Sequence, residues 1–293
     1  MVPVGNAGRR AAARVRYDPA MSERIVERAG VRLAVEEAGE GIPVVLLHGL
    51  TATRRYVVMG SRTLERGGHR VIAYDARGHG QSSAAPVPGA YGYDELADDL
   101  LAVLDACSLD RAVLAGASMG AHTLLRVALL APERVAGIVA ITPAYDPDEH
   151  AHMSFARWDA LADGLRDGGI EGFVEAYRVE EEVPAAWQDT VRTVLRQRMA
   201  LHEDPAALAD ALQATPRSRP FESLDELSAI AVPAVVVASR DEADPGHPFA
   251  IGEAYAAAIP GARLVTEEPG RSPLAWQGGQ LSRAIAELAA RTA

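Results

Sequence analysis

Lysine is absent from this 293-residue chain, and Asn6 and Cys107 are its only asparagine and its only cysteine. All 29 cationic side chains are therefore arginines. Without lysine there is no Schiff-base nucleophile, no phosphate-loop lysine and no Ser-x-x-Lys pair. A single cysteine excludes an intrachain disulfide and a cysteine-rich zinc site. It also suits a reducing compartment, so the expected location is the cytoplasm. Forty acidic residues against 29 arginines leave a formal charge of −11, the wrong sign for a nucleic-acid footprint. No apolar run approaches the roughly 18 residues of a membrane span. What is present, 48% hydrophobic and 24% charged residues, is the balance of a globular domain. The expected partner is a small molecule, not nucleic acid or membrane.

Residues 1–20 carry Arg9, Arg10, Arg14 and Arg16 without an apolar block, and read as a disordered N-terminal extension. A strand hairpin follows over 24–28 and 31–36, turning at Ala29-Gly30. Short apolar runs at 44–47, 71–74, 112–115, 137–141, 235–238 and 263–266 then alternate with longer helical stretches. Most lack period-two alternation, as expected of strands buried on both faces of a parallel sheet. Helices are expected over 93–107, where Leu96, Leu100, Leu101, Val103 and Leu104 form one stripe, and over 276–290. The reading is an α/β layered fold with right-handed crossovers.

One interval interrupts that rhythm. Residues 145–228 separate two sheet strands and read as helices at 155–165, 170–179, 185–201 and 205–212. So long an insertion is no plain loop, and a helical lid is expected. The domain reading is thus a core of 21–144 and 229–293 carrying a cap of 145–228.

Chemistry is carried first by Gly116-Ala117-Ser118-Met119-Gly120, placed between a strand and a helix. The two glycines permit a tight turn that lifts Ser118 to the sheet edge, at a helix N-terminus that favours developing negative charge. Three more motifs accompany it: His48-Gly49-Leu50, the run Asp75-Ala76-Arg77-Gly78-His79-Gly80-Gln81-Ser82, and Pro132-Glu133-Arg134-Val135. In order and spacing these resemble the α/β-hydrolase fold family, over about residues 24–290, and within it the lid-bearing carboxylesterase, enol-lactonase and haloperoxidase-like group.

That resemblance implies an eight-stranded, mostly parallel sheet flanked by helices, with Ser118 as nucleophile. It implies an oxyanion hole from the backbone amides of Leu50 and Met119. His48 and His79 would brace loops. The acid would be Asp241, just past the seventh strand, with Asp244 and Asp146 as other candidates. The family's base is a histidine after the eighth strand, and there the chain has Gly270-Arg271-Ser272-Pro273, with Arg271 at the histidine's position.

A guanidinium stays protonated and cannot accept the serine proton. Arg271 is expected instead to pair with Asp241 and to present a fixed positive charge beside Ser118. Other imidazoles that could serve as base are His247, His122, and the lid pair His150 and His152. The lid opening, Asp146, Asp148, Glu149, His150 and His152, also offers metal-ligand types, although no metal or cofactor is expected. The expected function is a serine hydrolase acting on a small ester, thioester or lactone, with a non-standard or weakened base. The alternative is a non-hydrolytic small-molecule binder in which Arg271 holds an anionic group.

Overall fold

A computed structural model describes residues 21–292; the expectation for residues 1–20 lies outside them. Eight strands form one sheet: β1 (Met21–Arg28), β2 (Val31–Ala38), β3 (Ile42–Leu47), β4 (His69–Tyr74), β5 (Ala112–Ala117), β6 (Val135–Ile141), β7 (Ala234–Val237) and β8 (Arg263–Val265). Their spatial order is β1-β2-β4-β3-β5-β6-β7-β8. The β1–β2 hairpin and the β2–β4 pair are antiparallel, and every later pair is parallel.

The apolar runs follow from burial on both faces. Val45, Leu47 and Leu114 point into one core layer, under the helices Tyr93–Ala106 and Met119–Leu130. Their chain neighbours Val44, Leu46, Val113 and Ala115 point into the other, under the helix Gly278–Ala289. With period-two alternation feeding two apolar layers, neither side of these strands has room for polar residues. The last helix begins later than its sequence pattern suggests, because Leu274–Trp276 forms a separate short turn.

Between β6 and β7 the chain is helical, mainly Ala156–Ala176, Gln188–Met199 and Pro205–Ala214. The first of these breaks at Gly169, whose φ of 60° is left-handed. Its two arms then cross at glycine backbones: a Cβ on Gly172 would lie 2.1 Å from the Gly164 carbonyl oxygen. The segment has its own core of Leu161, Leu165, Phe173, Leu195, Met199, Leu208 and Leu212, and Leu50 of the sheet domain packs against it. Among the described residues no helix is long and apolar enough to cross a membrane.

Candidate active site

Ser118 sits between β5 and the helix Met119–Leu130 with φ 50° and ψ −114°, a strained conformation for a residue with a side chain. Close packing enforces it. A Cβ on Gly120 would lie 2.2 Å from the Leu47 carbonyl oxygen, and one on Gly116 would lie 2.4 Å from Gly120. The Ser118 amide is tied to the Ile141 carbonyl at 2.9 Å, while its hydroxyl has no hydrogen-bond partner among the described residues.

The loop after β3 lies against this turn, with the Cβ direction of Gly49 aimed at Ser118 Cβ, 3.3 Å away. The amides of Leu50 and Met119 are spent on no acceptor among the described residues. Two donors therefore stand beside the serine, one of them in the first turn of its helix. His48 braces the loop: its Nδ1 donates to the Gly49 carbonyl at 2.9 Å and its Nε2 accepts from the Ala76 amide at 2.9 Å. The Gly49 carbonyl belongs to the same peptide as the Leu50 N–H, so this bond polarises that donor. Burial pushes the His48 pKa down to about 3, and the ring stays neutral.

Ser118 opens into a cavity of about 90 Å³. Leu50, Val57, Met59, Ile141, Ala275 and Trp276 supply apolar wall; Tyr56, Arg198, Asp244 and His247 supply the polar groups. His247 Nδ1 lies 2.8 Å from Asp244 Oδ2, so the imidazole donates there, and Nε2 has no hydrogen-bond partner among the described residues. Burial raises the Asp244 carboxyl, but His247 and Arg198 outweigh it and hold the pKa below the ordinary carboxylate value. His247 and Ser118 share the cavity without a direct hydrogen bond.

Asp241 lies elsewhere. It accepts the indole N–H of Trp276 and the Ala243 amide, the latter at 2.9 Å. The expected ion pair with Arg271 is absent: Arg271 is exposed, outside the cavity wall, and its guanidinium has no partner among the described residues. The physical reason is the loop after β8. Buried Glu267 anchors it by accepting the amides of Arg240 at 2.6 Å and Leu274 at 2.9 Å. That anchoring directs Ala275 and Trp276, rather than Arg271, toward Ser118.

The other imidazoles are engaged away from the cavity. His122 is buried, facing the Tyr93 hydroxyl at 2.9 Å through Nδ1 and accepting the Ala144 and Tyr145 amides through Nε2. His79 is buried against the Arg77 carbonyl at 2.8 Å, and His150 holds the Pro216 carbonyl at 2.9 Å. His152 is exposed. Asp146 caps a short helix by accepting the amides of Asp148 and Glu149, and among the described residues no group of three or more ligand-type side chains could hold a metal ion.

Sequence reasoning missed Arg198 and His202, which lie in the helical segment between β6 and β7. Arg198 Nη2 donates to the Leu50 carbonyl at 3.2 Å and to Thr51 Oγ1 at 2.9 Å. His202 links the Thr51 carbonyl to the Gly80 amide. A signal was available: Arg198 falls three residues after buried Leu195, on a stripe that is otherwise apolar.

A strained serine between a parallel strand and a helix, at a tight glycine-flanked turn, is the backbone pattern of a strand–turn–helix elbow. Comparison with known proteins agrees. Residues 42–271 match the family described as alpha/beta hydrolase fold. A Variovorax paradoxus protein that bears the name of a carbamate hydrolase, RutD, is 33% identical over 214 residues, 71% of this chain and 77% of that one. A Mycobacterium phage D29 protein named for non-heme haloperoxidase activity is 35% identical over 141 residues. That match covers 48% of this chain and 50% of the relative, so the chain spans half the relative's length. A solved structure titled "Est816 as an N-Acyl homoserine lactone degrading enzyme" is 27% identical with a TM-score of 0.70, covering 90% of this chain and 98% of that one. The chain belongs to the α/β-hydrolase fold family.

Proposed function

We propose that the protein is a serine hydrolase of small esters or lactones, in which His247, oriented by Asp244, replaces the base missing after β8. The observation that carries this reading is the Asp244–His247 pair, 2.8 Å apart, on the wall of the cavity that holds Ser118. His247 Nε2 takes the Ser118 proton as Oγ attacks the carbonyl carbon, and Asp244 stabilises the imidazolium. The amides of Leu50 and Met119 receive the negative oxygen. The imidazolium then gives its proton to the leaving alcohol. In the second half, His247 deprotonates the water that hydrolyses the acyl-serine. Without a direct Ser118–His247 bond in the free protein, the contact forms as substrate enters, or through one water.

The cavity limits the substrate. At about 90 Å³ it is smaller than the roughly 150 Å³ apolar cavity that takes up benzene, so the acyl part has few heavy atoms. The deciding experiment measures hydrolysis of p-nitrophenyl acetate and butyrate, with fluorophosphonate labelling, for the unsubstituted protein, Ser118→Ala and His247→Ala. Ser118→Ala should abolish labelling and turnover, and His247→Ala should lower kcat by about 10⁴-fold or more. Turnover untouched by His247→Ala would place the base elsewhere. Absence of both turnover and labelling in the unsubstituted protein would favour the non-hydrolytic binder.

A further inference from the structure

Three arginines on the helix Gln188–Met199 meet different fates. Arg192 pairs with Glu180 and Asp189, and Arg196 with Glu171, all at the surface. Arg198 turns inward to the cavity wall and, among the described residues, has no carboxylate within ion-pair distance. Only Nη2 is hydrogen-bonded, to Leu50 and Thr51. Nε is buried without a partner, and Nη1 has none among the described residues. A guanidinium has five N–H donors, so three of them are unspent. Its Cζ lies over the Tyr56 ring, 5.7 Å from the centroid.

Such a placement is costly unless something completes it. An ion taken from water needs an opposite charge and filled hydrogen bonds. Among the described residues Asp244 is the only carboxylate on the cavity wall, and it accepts a hydrogen bond from His247. Burial accordingly pulls the Arg198 pKa below its ordinary value, with Asp244 opposing only in part. An anion entering the cavity would offer acceptors to the unspent Nη1 N–H groups, as charge-assisted hydrogen bonds.

We infer that Arg198 is the anchor for an anionic group of the substrate, and that the substrate is a short acyl ester or lactone carrying a carboxylate. This rests on the reading of Ser118 as nucleophile, because the anchor and the serine share one small cavity. The role assigned to Arg271 from the sequence, holding an anion beside the serine, falls instead to a residue of the cap. Because the same Nη2 holds the Leu50 carbonyl, a bound anion would also fix the loop that carries one oxyanion donor.

The experiment compares two p-nitrophenyl esters of equal chain length, the hemisuccinate and the butyrate, with Ser118→Ala as the background for spontaneous hydrolysis. The expected result is a kcat/KM at least tenfold higher for the hemisuccinate. In Arg198→Met that ratio should fall to about one or below, whatever happens to the absolute rates, and Arg198→Lys should recover part of it. A second readout needs no turnover: calorimetric binding of monomethyl succinate and of methyl butyrate to Ser118→Ala. Only the anion should bind, and Arg198→Met introduced into that background should lose it. Ser118-dependent turnover with a ratio near one, and no selective binding, overturns the anchor and leaves the serine reading intact. Selective, Arg198-dependent binding without Ser118-dependent turnover overturns the serine reading and leaves the anchor.

Discussion

His247 donates its Nδ1–H to Asp244 across 2.8 Å, while four chain positions before Pro245 the carboxylate of Asp241 is taken by the indole of Trp276. Two acids of one loop thus hold two different rings, and only the imidazole can accept a proton. Asp244→Asn should lower kcat by about 10³–10⁴-fold, as expected when the acid behind a base is neutralised. Asp241→Asn should cost less than about tenfold, because its hydrogen bond supports a wall residue. Steady-state kinetics of the two variants on one ester decide the matter. Equal losses, or a larger loss for Asp241→Asn, would return the acid to position 241.

Arg271→His places an imidazole at the position where the family keeps one. In a site assembled around that position, the change would raise turnover by orders of magnitude. Here the side chain is exposed, and Asp241, the carboxylate expected to serve that position, is already bonded to Trp276. The expected change in kcat/KM is less than about threefold. A hundredfold gain would show that the loop after β8 rearranges to deliver residue 271 to the serine.

Four buried histidines link stability to acid. Burial lowers the pKa of His48 and of His122 to about 3, and it lowers those of His79 and His202 as well. The unfolded chain takes up these protons near pH 6.5, before the folded one can. Their contribution is therefore complete above that pH and drains away as pH falls toward the folded values. His48 and His122 together should cost about 4 kcal/mol on going from pH 7.5 to pH 5. Urea denaturation at the two pH values measures it. A difference below about 1 kcal/mol would contradict the closed environment of these rings.

Two substitutions probe the frame of the site without touching its chemistry. Gly120→Ala would push a methyl group to 2.2 Å from the Leu47 carbonyl and should destabilise the fold by about 3 kcal/mol. Arg77 and Asp99 form a two-pronged ion pair, both bonds 2.7 Å and both residues buried, beneath the loop that carries His79. Asp99→Ala should cost about 3–5 kcal/mol by stranding the guanidinium. Denaturant midpoints test both. A neutral Gly120→Ala would mean that the serine turn is less constrained than its contacts indicate.

Much of the fold was legible before any coordinates. Buried parallel strands leave continuous apolar runs, and a glycine–x–serine–x–glycine turn leaves a local pattern, since both are constraints between chain neighbours. The bracing roles of His48 and His79 were legible for the same reason, each sitting within a short motif. Arg198 was not, because three arginines of similar spacing on one helix differ only in what faces them across space. The pairing of Asp244 with His247 was visible as proximity in sequence, but nothing local said that their loop would border Ser118 while Arg271 would not.

The order of residues along the chain thus determined which segments become strands and where the serine turn falls, because each leaves a pattern within a few positions. Tertiary structure decided which imidazole and which guanidinium line the cavity at that serine. Those choices depend on Glu267 anchoring the loop after β8 and on the helix Gln188–Met199 turning Arg198 to the cavity wall. Contacts between segments far apart along the chain settle them, through burial and the need to fill every buried hydrogen bond.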